Sequence, residues 1–76
     1  MILPEFLKGY RKKHSLAQKQ IAHTLGITRE HYARIEEGIQ LPSLSLLKRM
    51  AKEFQVTIIY VISDDETVYK NISGLK

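Results

Sequence analysis

The chain has 76 residues, 43% of them aliphatic or aromatic, and no cysteine. It is therefore one small globular domain, without disulfides, thiolate nucleophiles or cysteine-based zinc sites. Its net charge of +4 is uneven: residues 1–55 carry ten Lys/Arg against five Glu, and residues 56–76 two Lys against three acids, so the body suits a polyanion and the tail some other task.

The opening MILPEFLKGYRKK places its charges after the apolar residues and has no long apolar run. It reads as neither signal peptide nor membrane span, and a cytoplasmic protein is expected. Pro4 suits a first helical turn, and Phe6, Leu7 and Tyr10 recur at helical spacing, which predicts a helix from about Pro4 to Lys13. A second helix has Ile21, Ala22 and Leu25 as its apolar positions. It starts either at Ser15, where Ser15 and Gln18 have the spacing of a capping box, or at Ala17 without a side-chain cap.

Gly26 stands where a helix ends in a left-handed residue, and Thr28 is placed to cap the next helix with its hydroxyl. Tyr32 and Ile35 give that helix an inward face, and Gly38 stops it. About three residues join the second and third helices, the geometry of a helix-turn-helix. GIQLPS then forms a loop, and Ser43 is positioned to cap a fourth helix with Leu44, Leu47, Ala51 and Phe54 inward and Ser45, Lys48, Arg49 and Lys52 elsewhere.

From Val56 the pattern changes to VTIIYVI, dense in β-branched and aromatic residues; SDDET follows as a turn-like cluster, and VYKNI resumes. A strand here would be apolar on both faces, with Ile58, Tyr60 and Ile62 on one and Ile59 and Val61 on the other. It needs a partner sheet, for which a second copy of the chain is the expected source. The alternative is a short fifth helix burying Val56, Ile59 and Tyr60. Residues 1–55 thus form the body and residues 56–76 a dimerisation strand or hairpin with its tail, the expected contacts being Ile58, Ile59, Tyr60, Val61 and Ile62.

The segment SLAQKQIAHTLGITREHYARIEEG, followed by LPSLSLLKRMAKEF, resembles the lambda-repressor/Cro type of helix-turn-helix, often called XRE-like, over residues 6–56. Leu16, Gln18, Ile21, Ala22, Leu25, Gly26, Ile27, Thr28, Ile35, Glu36, Gly38, Pro42, Ser43 and Leu44 stand at that family's spacing. The resemblance implies a mainly α, compact domain of four or five helices, to which the tail adds a strand or hairpin pairing across a dimer. It also implies a recognition helix in the DNA major groove and a homodimer on a near-palindromic operator. Two departures stand out: Ala17 replaces the usual Thr or Ser, and VTIIYVI replaces the usual acidic short helix. The second resembles a subgroup, including some antitoxins, whose C-terminal strands pair between subunits.

On this resemblance Arg29, at the start of the recognition helix, and Arg34 are candidates for gripping guanine O6 and N7. Arg34 could instead pair with Glu30, four residues before it. Glu30 suits either cytosine N4 or the favourable field of a helix N-terminus. Gln18, Thr28 and His31 are candidates for the DNA backbone, with Thr28 a cap first and His31 equally readable as an exposed ring. Arg11 and Glu36 match a pair that in the family joins the first helix to the third. The resulting expectation is a DNA-binding transcriptional regulator, most simply a homodimeric repressor, or else an antitoxin-like module that neutralises a toxin or other protein partner and autoregulates through DNA.

Other chemistry lacks a residue set. His14, His23 and His31 have no accompanying ligand pattern, Asp64, Asp65 and Glu66 lack the form of a calcium loop, and no phosphate loop or nucleophile elbow occurs. No cofactor, metal or enzymatic activity is expected.

Overall fold

The computed structural model describes the backbone of residues 3–62 and 67–74, and side chains as far as residue 58. Four helices, α1 (Leu3–Lys13), α2 (Gln18–Leu25), α3 (Arg29–Glu36) and α4 (Leu44–Phe54), are followed by strands β1 (Val56–Ile62) and β2 (Thr67–Gly74). The fold is the mainly helical lambda-repressor-like domain. The fifth helix is not formed: Gln55, at φ 55°, ends α4 in the left-handed region and turns the chain into extended backbone, which the β-branched run then holds.

The core collects Leu3 and Leu7 from α1, Ile21, Ala22 and Leu25 from α2, Tyr32 and Ile35 from α3, Leu46, Leu47, Met50 and Phe54 from α4, and Val56 from β1. Fully burying each large aliphatic side chain contributes about 1.5–3 kcal/mol. An aromatic seam joins α1 to α4, with Tyr10 4.6 Å and Phe6 5.8 Å from Phe54 between ring centroids. His14 stacks 4.3 Å from Tyr10 at the end of this seam.

Within α4 the buried face differs from the expected one. Leu46 and Met50 face inward with Leu47 and Phe54, while Leu44 is exposed and Ala51 half-buried. At 100° per residue, Leu46, Met50, Phe54 and Leu47 share one arc, and Leu44 and Ala51 fall on its flank.

Of the two expected starts for α2, the structure has the one at Ala17. Ser15 has φ 54°, and the Leu16 amide donates to Arg11 O, so Ser15 closes α1 and does not open α2. Ala17 is the N-cap of α2. It has no side-chain oxygen to offer; Gln20 Oε1 instead accepts from the Ala17 amide at 2.7 Å, half of a capping box shifted two residues from the expected position.

The hairpin is internal to one chain. β1 pairs antiparallel with β2, from Val56 opposite Gly74 to Ile62 opposite Thr67. Lys70 is an extra residue in β2, because Ile59 faces Asn71 and Tyr60 faces Tyr69, and this bulge interrupts the regular ladder between the two strands. The pairing strand expected from a second copy is thus β2 of the same chain along one edge of β1. The side chains of Ile59, Tyr60, Val61 and Ile62, and the acidic cluster Asp64, Asp65 and Glu66, lie outside the described residues. No helix among the described residues is long and apolar enough to cross a membrane.

Candidate nucleic-acid interface

The third helix is clamped at both ends. Before it, Gly26 adopts φ 73°, and the amides of Gly26 and Ile27 donate to His23 O and Ala22 O, closing α2 in the left-handed turn that glycine permits without a Cβ clash. Space there is short as well, since a Cβ on Gly26 would lie 3.1 Å from Arg49 Nη1, which donates to Leu25 O. Thr28 Oγ1 then accepts the His31 amide at 3.0 Å as the N-cap of α3. At the far end Gly38, at φ 80°, reverses the chain. The Ile39 amide then donates to Arg34 O at 2.9 Å.

Beneath α3 lies one buried carboxylate. Glu36, 2% exposed, accepts Arg11 Nε at 2.7 Å and Nη2 at 2.9 Å, the Tyr32 hydroxyl at 2.7 Å and Gln18 Nε2 at 3.0 Å. A single side chain therefore ties α1, α2 and α3 together. Arg11 also donates through Nη1 to Leu16 O, fastening the loop before α2. Burial by itself would raise the Glu36 pKa, but the hydrogen bonds from Arg11, Tyr32 and Gln18 outweigh it and bring the value down to about 2. Tyr32 is pushed well above the usual phenol range by burial and by the Glu36 carboxylate it faces. The hydrogen bond to Glu36 raises the Arg11 pKa although burial opposes it.

The outer face of α3 carries the expected readers. Arg29, Glu30 and Arg34 are exposed, and His31 is half-buried. Arg29 Nη1 donates to Gln18 Oε1 at 3.2 Å, and Arg29 Nη2 lies 3.6 Å from Glu30 Oε2. Both charges of that ion pair are substantially exposed, so it contributes little stability. The alternative pairing of Glu30 with Arg34 is not formed; Arg34 Nε instead donates to Gln40 Oε1 at 2.9 Å. Gln18 has both ends of its amide engaged, with Glu36 inside and Arg29 outside. A shallow depression between α2 and the start of α3, lined by Leu16, Lys19, His23, Ile27 and Arg29 among others, sets Lys19 and Arg29 on the same surface.

Three contributors escaped the sequence reading. Gln20 was legible in principle, as the glutamine three residues after Ala17. Arg49 appears in sequence as one of several cations on α4, and nothing local announces its reach to Leu25 O, 24 residues away. Gln40 sits in the loop between α3 and α4, flanked by the exposed apolar Ile39 and Leu41. Among the described residues no cluster of His, Cys, Asp and Glu could hold a metal ion.

Residues 7–61 match the helix-turn-helix family. An uncharacterized HTH-type transcriptional regulator of Methanocaldococcus jannaschii is 44% identical over 62 residues, covering 79% of this chain and 94% of that protein. The cryptic phage CTXphi transcriptional repressor RstR of Vibrio cholerae is 31% identical, covering 80% of this chain and 55% of the repressor. Antitoxin PezA of Streptococcus pneumoniae is 30% identical, covering 79% of this chain and 38% of the antitoxin. No solved structure matches.

Proposed function

We propose that this chain, which belongs to the helix-turn-helix family of lambda-repressor type and is a DNA-binding transcriptional regulator, acts as a homodimeric repressor that occupies a near-palindromic operator. The observation that carries the reading is α3 itself: a short helix stopped at both ends, fixed from below by Glu36, with Arg29, Glu30 and Arg34 outward. A rigid rod with its polar face free can enter the major groove without losing its shape. Arg29 and Arg34 then read guanine edges and Glu30 a cytosine amino group, while Gln18, Thr28 and His31 lie toward phosphates. Two such helices would meet half-sites about 34 Å apart, one turn of duplex. Similarity to a phage repressor supports repression as the outcome. The expected compartment is the cytoplasm, with DNA as the partner and no cofactor or catalysis required.

Selection of bound duplexes from a random pool tests this. The wild-type chain should yield a two-fold symmetric motif, and Arg29→Ala and Arg34→Ala should each lose discrimination at particular base pairs, on the order of 1–3 kcal/mol per base pair. Uniform weakening across all sequences would mean that the arginines hold phosphates and do not read bases.

A second reading is an antitoxin-like module that neutralises a toxin and controls its own promoter. Similarity to an antitoxin and the C-terminal hairpin favour it. Co-purification of a stoichiometric second protein from the native host would select this reading over the first.

A further inference from the structure

We infer that Gln40, in the loop after α3, is a positioning residue that sets the specificity of Arg34 by fixing the plane of its guanidinium. The inference rests on the reading of Arg34 as a base contact. An arginine has four rotatable bonds, and an exposed one disperses its fork over many orientations. Here Gln40 Oε1 accepts from Arg34 Nε at 2.9 Å. The amide that makes this contact is itself fixed, because Gly38 turns the chain at φ 80° and the backbone amides of both Ile39 and Gln40 donate to the carbonyl of Arg34, at 2.9 and 3.3 Å. Gln40 is therefore fastened by its backbone to the same residue that its side chain orients.

The other end of the Gln40 amide supplies a second point of attachment. Gln40 Nε2 lies 3.4 Å from His31 Nε2, a contact in which the amide donates when the ring proton is on Nδ1. His31 and Arg34 are three residues apart on α3, so Gln40 bridges one face of that helix from outside. With Nε occupied, the terminal Nη1 and Nη2 form the remaining fork, which matches the two acceptors of guanine, O6 and N7. Glu30, the competing carboxylate one turn earlier, lies against Arg29 instead, which leaves the Arg34 fork to the groove.

The test compares selected DNA motifs for wild type, Arg34→Ala, Gln40→Ala, Gln40→Glu and the Arg34→Ala/Gln40→Ala double variant, with thermal midpoints measured alongside. Gln40→Ala should relax preference on the order of 5-fold at the base pair that Arg34→Ala relaxes, and at no other, with the midpoint nearly unchanged. The double variant should discriminate no worse there than Arg34→Ala alone, because without Arg34 there is nothing for Gln40 to orient. Gln40→Glu keeps an acceptor for Nε and should retain the preference, while total affinity drops through its added negative charge. If Arg34→Ala loses one base pair and Gln40→Ala loses none, or loses a different one, the role of Gln40 is overturned while the reading by Arg34 stands. If Arg34→Ala weakens every sequence alike, the reading falls and the positioning role falls with it.

Discussion

Glu36→Ala is expected to destabilise the domain by about 3–5 kcal/mol, the cost of breaking a buried ion pair from one side. A domain of this size has only about 4–11 kcal/mol of total stability, so the substitution removes a large share of it. The substitution leaves the Tyr32 hydroxyl without its acceptor in the core, and it leaves Arg11 and Gln18 without the carboxylate on which they converge. Thermal denaturation followed by circular dichroism measures it. Tyr32→Phe removes one of the hydrogen bonds to that carboxylate and should cost only about 1 kcal/mol. The same carboxylate sets the acid limit of the fold. Its folded pKa, about 2, is below the ordinary value of 4.5, so its contribution is present in full above pH 4.5 and is lost as pH falls from there toward 2. That contribution is about 3 kcal/mol, and the melting temperature should fall through this window in wild type but not in Glu36→Ala.

A chain ending after Ile58 is expected to be monomeric and to bind a complete operator roughly 10²- to 10⁴-fold more weakly, because the second half-site is no longer tethered to the first. β1 and β2 alone form a two-stranded sheet, which is marginal unless it is packed or extended, and outer edges of this kind are natural pairing surfaces for another copy. Stopping at Ile58 keeps Val56 in the core and Ile58 against it, so the helices should retain their circular dichroism. Sedimentation equilibrium reads the oligomeric state directly. A dimer of unchanged affinity would place the subunit contact elsewhere on the molecule.

The parts of the fold that were legible in the sequence are those set by local chemistry. Gly26, Thr28, Gly38 and Ser43 announced the helix ends because each end needs a particular backbone conformation or a particular oxygen, and the spacing between them gave the helix-turn-helix. The β-branched density of VTIIYVI likewise marked a strand over the competing helix. What was missed depended on contacts distant in sequence or on a choice between near-equivalent arcs. The inward face of α4 turned on whether Leu44 or Leu46 lies nearer its centre, and apolar spacing alone does not separate them. The start of α2 is open in the sequence between Ser15, whose spacing to Gln18 fits a capping box, and Ala17; the left-handed end of α1 takes Ser15, so α2 starts from Ala17, with Gln20 supplying half of the box. Arg29, Glu30 and Arg34 are singled out by the resemblance to the lambda-repressor type, and the structure leaves all three exposed on α3. The contacts that hold the two arginines, from Gln18 at the start of α2 and Gln40 in the loop after α3, are not legible in the sequence, because an amide side chain shows its partner only after the chain has folded.

The central claim is that the face of α3 bearing Arg29, Glu30 and Arg34 meets the DNA. Titrating isotope-labelled protein with a duplex taken from the selected pool, and following backbone amide and arginine side-chain resonances, tests it most directly. The largest shifts should fall on α3 from Thr28 to Arg34, on the start of α2 at Gln18 and Lys19, and on Gln40. Shifts confined to the seam of α1 and α4 around Phe6, Tyr10 and Phe54, with α3 unmoved, would contradict it.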